Sequence, residues 1–179
     1  MKTKQKLILS LMLMLTTLAQ ASCSNSRDAC PAPTSETKLL TNAEEGYCLL
    51  YPAEYSTTFP DQIVINPASD GGEMPGDAWL YIEITDAAGR TAAQIADEGI
   101  AALGEGFNIT RFEVEVDGEQ AVVVDGLPAQ DSARYVFIVH NERLYNLIFM
   151  PWHPNAAEPT QLENLYTLVM ATLHFLSQE

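Results

Sequence analysis

The spacing of apolar and polar residues predicts a chain built largely from short strands. Apolar and polar residues alternate strictly from Phe112 to Asp117, so Phe112, Val114 and Val116 are expected to face a core. Asp117-Gly118 is a pair that type I′ hairpin turns favour, and residues 121–124 supply the returning strand. Earlier strands are predicted at 46–52, 62–65 and 79–84, bounded by residues that favour turns.

Two later segments, 135–140 and 144–150, are apolar on both sides and are joined by Asn141-Glu142, which predicts another hairpin. Strands that are buried on both sides need a layer above and a layer below their sheet. We expect one buried face to carry Tyr135, Phe137, Val139, Tyr145, Leu147 and Phe149, with Leu162, Leu165, Val169 and Leu173 of a helix packed against it.

Two helices can supply the outer layers. Thr91 and Gln94 have the spacing of a capping box, and apolar residues recur with helical period until Gly104 and Gly106 end the run. Thr160 and Glu163 repeat this spacing before a second apolar stripe. Because the late strands are joined by tight hairpins, the sheet should be largely antiparallel. The predicted class is α+β: an α/β/α sandwich with a largely antiparallel central sheet and helices on both faces.

The first 22 residues have the organisation of a secretory signal. Lys2, Lys4 and Lys6 precede an uncharged run at 7–18, and small residues follow it. As a membrane span, this run would reach only ~18 Å, whereas the hydrocarbon core of a bilayer is ~30 Å thick. We therefore predict a signal peptide at 1–22.

Two cleavage sites remain open. Ala19-Gln20-Ala21 fits ordinary signal peptidase, which would leave Ser22 as the first residue. Alternatively, Gln20-Ala21-Ser22-Cys23 resembles a bacterial lipobox, although Gln20 stands where leucine is usual; cleavage there would leave Cys23 carrying a diacylglycerol. We favour lipidation of Cys23, because a polar stretch without periodicity follows it, as in a lipoprotein tether.

The cysteine count agrees with this interpretation. Three cysteines are an odd number for a protein bound for an oxidising compartment. If Cys23 is acylated, Cys30 and Cys48 remain as a pair for a disulfide; otherwise one thiol is left over. A zinc site is the rival use, but no CxxC or histidine cluster accompanies them. The predicted organisation is a lipidated cysteine with a polar tether at 23–37 and one domain at 38–179.

The formal net charge of −15 argues against nucleic acid as a partner, because no basic stripe could displace its counterions. Removing residues 1–22 takes away three lysines and no acids, so the exported part carries 6 − 24 = −18. The partners that remain are the membrane, reached through the lipid, and a protein of the cell envelope.

Four strings resemble the PsbP-like superfamily, which includes PsbP, the bacterial DcrB-like lipoproteins and the Mog proteins. Residues 46–55, GYCLLYPAEY, resemble its opening strand, and residues 116–121, VDGEQA, resemble its hairpin. Residues 135–145 are similar to its penultimate hairpin, and Leu173-His174-Phe175 matches its closing segment loosely. The resemblance covers roughly 38–176. It implies an α/β/α sandwich on exported, often lipid-anchored proteins that serve as accessory or binding proteins, with no shared catalytic residues.

The sequence contains few candidates for catalytic, metal-binding or ligand-binding residues. No nucleophile elbow, zincin, P-loop or dinucleotide-binding motif occurs, and we expect no catalytic residue, metal site or cofactor. His140-Asn141-Glu142 is interpreted as a hairpin end, and His174 as a residue near a helix terminus. The residues that could contact a ligand are Asp70, Glu73 and Asp77 in an acidic loop and Trp152 and His153 in a rigid aromatic loop.

The sequence therefore predicts a non-enzymatic, lipid-anchored accessory or binding protein of the cell envelope. The alternative is a module that binds a small ligand or a cation through the loop at 66–78 and the Trp152-His153 loop. Both hypotheses place the protein outside the cytoplasm, on the membrane if Cys23 is acylated and secreted if it is not.

Overall fold

The computed structural model describes residues 29–58, 63–67, 78–128, 132–152 and 160–177. The elements within these residues are β1 (Thr37–Asn42), β2 (Tyr47–Pro52), β3 (Tyr55–Thr58), β4 (Ile63–Pro67), β5 (Trp79–Asp86), α1 (Ala92–Ala102), β6 (Thr110–Val116), β7 (Glu119–Asp125), β8 (Arg134–His140), β9 (Arg143–Met150), α2 (Gln161–Thr172) and β10 (His174–Phe175).

The strands form two antiparallel sheets. The large sheet has the order β3-β4-β5-β9-β8-β7-β6, and the small sheet has the order β1-β2-β10. Helix α1 packs on β7 and β8, whereas α2 contacts β2 and β9. The two helices therefore lie on opposite faces of the large sheet, and the small sheet shares the layer of α2. The predicted α+β class, with an antiparallel sheet between helices, is confirmed.

Both helices begin as their sequences predict. Thr91 accepts a hydrogen bond from the backbone N–H of Gln94, and the side chain of Gln94 accepts one from the backbone of Thr91. Thr160 and Glu163 form the same reciprocal pair at the start of α2. Each box satisfies two amide groups that a helix start would otherwise leave without partners.

The core between the large sheet and α2 differs in part from the predicted one, and the prediction was wrong for Tyr135, Phe137 and Val139. The two-residue turn at Asn141-Glu142 pairs His140 with Arg143, so each even-numbered residue of β8 lies opposite an odd-numbered residue of β9. Directly opposed side chains share a face. The face towards α2 consequently carries Val136, Ile138, Tyr145, Leu147 and Phe149, packed with Leu162, Leu165, Val169 and Leu173. Tyr135, Phe137 and Val139 face the α1 side instead.

Strand β6 departs from its predicted pattern at one end. Val116 is buried and Val114 packs partly against the core, but Phe112 is 36% exposed. Phe112 is exposed because β6 is the outermost strand of the large sheet and, among the residues that the structure describes, pairs with β7 alone. Alternation along a strand indicates which face of the sheet a residue lies on. It does not indicate whether another layer of the fold covers that residue.

The disulfide between Cys30 and Cys48 is present, as expected. It fastens the residues before β1 to the start of β2, and Cys48 is fully buried. Among the described residues, no helix is long and apolar enough to cross a bilayer.

Candidate functional site

One end of the large sheet carries an open cleft of about 820 Å³, which we call the hairpin-end cleft. Three elements meet there: the β6–β7 turn, the β8–β9 turn and β10. The side chains used below are Glu115, Asp117, His140, Asn141, His174 and Phe175, all of which line the cleft.

The two turns hold their side chains in place through left-handed backbone conformations. The φ angles are 50° at Asp117 and 83° at Gly118, as a type I′ turn requires. Asn141 and Glu142 repeat the conformation, with φ angles of 47° and 63°. Aspartate and asparagine tolerate this region better than most residues, so the sequence itself places a carboxylate and an amide at the two tips.

Asp117 joins the β6–β7 turn to the last strand. Its two carboxylate oxygens lie 3.1 and 3.0 Å from Nδ1 of His174. The backbone N–H of Phe175 donates to Oδ2 of the same carboxylate, at 2.8 Å. Nε2 of His174 is buried and has no hydrogen-bond partner among the residues that the structure describes. One carboxylate thus fixes both residues of β10.

His140 makes a second pair with a carboxylate. Its Nδ1 lies 2.8 Å from Glu119, and its Nε2 lies 3.0 Å from the side-chain nitrogen of Asn141. Because an amide nitrogen is a donor, Nε2 accepts in this arrangement and Nδ1 carries the proton that Glu119 accepts. The ring of His140 stacks on Phe175 at 4.3 Å between centroids. Both histidines are therefore held through their Nδ1 atoms.

The chemistry of the cleft is that of an acidic recognition surface. Glu115 is exposed, and Asp117 and Glu119 each hold one histidine. Within the described part of the chain, no group of three or more histidine, cysteine, aspartate or glutamate side chains could hold a metal ion. Nε2 of His174 is shielded from solvent and Nε2 of His140 is already bonded, so neither atom is presented to a bound molecule.

This cleft was not predicted from the sequence. His140 and His174 were interpreted separately, one as a hairpin end and the other as a residue near a helix terminus. They come together because β10 pairs with β2, with His174 opposite Cys48 and Phe175 opposite Tyr47. A two-residue strand leaves no periodic signal, so the pattern of apolar and polar residues does not indicate where β10 pairs.

Of the predicted ligand residues, the structure describes Trp152 alone. Asp70, Glu73, Asp77 and His153 lie outside the described residues, as does Cys23. The end of the loop at 66–78 nevertheless lies beside the start of the loop at 152–153, because Trp79 at the start of β5 pairs with Met150 at the end of β9. The proposed ligand role of these loops stays a prediction.

Trp152 is described, and it lies in the interior. It is 5% exposed, and its ring lies against Tyr166 at 5.4 Å between centroids. The guanidinium of Arg134 sits over the indole at 3.7 Å and makes two parallel hydrogen bonds to Asp125, of 2.8 and 2.7 Å. Phe112 and Tyr166 also face this guanidinium. Arg134, paired with Asp125 and packed against these aromatic rings, therefore anchors the start of β8 to Tyr166 of α2.

Comparison with known proteins supports the fold alone. No family model and no curated protein sequence matches the chain. The solution structure of cyanobacterial PsbP (CyanoP) from Synechocystis sp. PCC 6803 matches with a TM-score of 0.52 and 12% identity, over 82% of this chain and 97% of that one. This likeness confirms the PsbP-like fold that the sequence resemblance implied.

A second structural match has a lower score. The crystal structure of a protein of unknown function, PA94 from Pseudomonas aeruginosa, matches with a TM-score of 0.38 and 19% identity, over 64% of this chain and 81% of that one. A score below 0.5 carries no weight for the fold or the function.

Proposed function

We propose that this protein is an exported, lipid-anchored, non-catalytic accessory or binding protein of the cell envelope. The observation that carries the proposal is the Cys30–Cys48 disulfide. Disulfides persist in oxidising compartments and are rare in compartments where thiols are kept reduced. The bond therefore favours a location outside the cytoplasm for this protein. The pair also accounts for two of the three cysteines and leaves Cys23, in the lipobox-like segment, as the acceptor for a lipid.

The disulfide also limits how far the domain can move from its anchor. Residues 24–29 separate Cys23 from Cys30, and an extended chain of this length reaches at most ~20 Å. Since Cys30 is bonded to β2, the folded domain would stay close to the bilayer surface. Such a position suits a protein that works on other components of the envelope.

The hairpin-end cleft supports binding rather than catalysis. Its histidines are held by Glu119 and Asp117, and their Nε2 atoms are bonded or shielded. A histidine that acts as a general base needs a free ring nitrogen within hydrogen-bond reach of the proton that it removes. The acidic surface, by contrast, is available to a partner of opposite charge.

Membrane fractionation of the producing cells tests this proposal. The natural chain should sediment with membranes and enter the detergent phase, and Cys23→Ser should release the domain in soluble form. Cys30→Ser is the matched control: it breaks the disulfide but should leave the protein membrane-bound. A natural chain that is soluble, or a Cys23→Ser protein that stays on the membrane, would contradict lipid anchoring.

The alternative function is binding of a small ligand or a cation at the other end of the large sheet. The observation that favours it is the pairing of Trp79 with Met150, which brings the ends of both predicted loops side by side. Ligand binding raises the melting temperature by mass action. A series with calcium, zinc and small metabolites should show such a rise, and no rise with calcium or zinc would exclude the cation version.

A further inference from the structure

In the part of the chain that the structure describes, strand β6 has a free edge. It is the last strand of the large sheet, and among the described residues β7 is its one strand neighbour. The two-residue turn makes Val116 and Glu119 a hydrogen-bonded pair, so every second residue from Val116 turns its backbone groups towards β7. Arg111, Glu113 and Glu115 consequently point their N–H and C=O groups away from the sheet.

The two faces beside this edge differ in character. On the α2 side, Phe112 is 36% exposed and Val114 is only partly buried, which leaves apolar surface next to the edge. On the α1 side, the side chains of Glu113 and Asp97 are 55% and 60% exposed, and Glu115 is exposed as well. A strand added here would therefore meet apolar groups on one face and carboxylates on the other.

The charge of the edge is negative despite Arg111. Its guanidinium is paired with Asp97 at 2.8 Å and with Glu113 at 3.2 Å, and Glu115 is exposed on the same face, so the edge carries three acids and one base. Glu115 continues this surface into the hairpin-end cleft. With a chain charge of −15, a basic partner would be attracted to this side.

We propose that the free edge of β6 binds an extended segment of a partner protein by strand addition, and that this segment alternates basic and apolar residues. Main-chain hydrogen bonds to Arg111, Glu113 and Glu115 would supply affinity, while the alternation would fix register and orientation. The basic residues would lie against Glu113 and Glu115, and an apolar residue would lie beside Phe112. This inference rests on the proposed binding function and specifies the class of its partner.

A second copy of the chain is a poorer occupant. Antiparallel pairing of two β6 edges centred on Glu113 would place the two Glu113 carboxylates opposite each other, and like charges directly opposite are destabilising. Charged edges of this kind also deter non-specific association. Self-association is therefore treated as an outcome of the test.

Direct titration with a synthetic peptide tests the inference. The probe is a peptide of alternating Lys and Val, matched to the 7 residues of β6, titrated by calorimetry into the full exported protein purified in detergent. A second peptide of the same sequence carries N-methyl groups on the amides that would face β6, which preserves its charge but removes the strand hydrogen bonds. The double variant Glu113→Lys/Glu115→Lys reverses the edge, and Glu44→Lys/Glu54→Lys makes the same charge change at exposed positions elsewhere.

The expected result is saturable binding that the edge variant weakens by at least about tenfold and the control variant by less than about twofold. N-methylation should abolish binding, and hydrogen exchange at the amides of Arg111, Glu113 and Glu115 should slow on binding. No binding, or equal binding of both peptides, would overturn the inference. A dimer that forms at high protein concentration and that the edge variant dissociates would also overturn the inference, because a second copy of the chain would then occupy the edge of β6. If fractionation succeeds while the peptide fails, the envelope function stands and this inference falls.

Discussion

Asp117 Oδ2 lies 3.0 Å from Nδ1 of His174, which joins the β6–β7 turn to the last strand of the chain across 57 residues of sequence. The same oxygen accepts the backbone N–H of Phe175. The C-terminal segment is thereby fastened to the large sheet as well as to β2, and the hairpin-end cleft exists because of that connection.

Asp117→Asn should loosen this connection without disturbing the turn. Asparagine tolerates the left-handed φ of 50°, but a neutral amide oxygen accepts more weakly than a carboxylate. We expect a loss of about 1–2 kcal/mol in the free energy of unfolding. Faster hydrogen exchange at the amide of Phe175 would locate the effect at β10, and an unchanged exchange rate there would contradict the role given to Asp117.

Arg134→Ala should destabilise the fold far more than Arg90→Ala. The Arg134–Asp125 pair is mostly buried, with side chains 13% and 14% exposed, and removing one partner of a buried pair costs about 3 kcal/mol or more. Arg90 and its partner Glu98 are 41% and 61% exposed, and the matched loss should stay below about 1 kcal/mol. Urea unfolding midpoints measure both. Equal losses would contradict the larger contribution assigned to the buried Arg134–Asp125 pair.

A double-mutant cycle tests which residues share a face. The rings of Phe149 and Tyr166 meet edge to face at 5.1 Å, so Phe149→Leu and Tyr166→Leu should couple by about 0.5–1.5 kcal/mol. Phe137, on the α1 side, should show no coupling with Leu165 of α2. Phe137→Ala should still cost about 3–5 kcal/mol, because Phe137 is buried beneath α1. Coupling between Phe137 and Leu165 would contradict the placement of Phe137 on the α1 side of the sheet.

Stability should fall at alkaline pH. Burial raises the pKa of the Tyr47 phenol far above its usual value, and burial also raises the pKa values of Tyr145 and Tyr166. Below a pH of about 10 both states hold these protons and the stabilisation is complete. Above it the unfolded chain releases them first, so the free energy of unfolding decreases as pH rises towards the folded-state pKa values. Tyr47→Phe should make this decrease shallower in urea titrations between neutral and alkaline pH, and an identical slope would contradict the assignment.

Most of the fold could be predicted from local sequence, because its strands and helices carry strong local signals. Asp117-Gly118 specified one hairpin, and Thr91 and Thr160 specified the two helix starts. The face assignment of β8 and β9 failed because strand periodicity gives only alternation. The pairing of His140 with Arg143 decides which residues lie opposite each other.

The cleft and the free edge lay beyond this kind of reasoning. His140 and His174 meet through β10, which is two residues long and forms only by pairing with β2. Which strand ends the large sheet depends on the order of pairing, and that order places β6 last although it lies in the middle of the sequence. Both features depend on contacts between residues that are far apart in the sequence. A local sequence pattern therefore does not predict them.

The disulfide should contribute to stability as well as to placement. Cys30 and Cys48 are 18 residues apart, and closing such a loop stabilises the fold by about 3 kcal/mol in the chain-entropy model. Cys30→Ala/Cys48→Ala should lower the urea midpoint accordingly, and Cys23→Ala should leave it unchanged. An unaffected midpoint in the double variant would show that the bond holds the tether without stabilising the domain.

Lipid anchoring at Cys23 is tested most directly by the intact mass of the protein extracted from its host membrane. The mass is measured after alkylation, with and without prior reduction. If the protein is lipid-anchored, its chain begins at Cys23, carries a diacylglycerol, and gains alkyl groups on Cys30 and Cys48 only after reduction. A soluble chain that begins at Ser22 and carries a reactive thiol before reduction would contradict it.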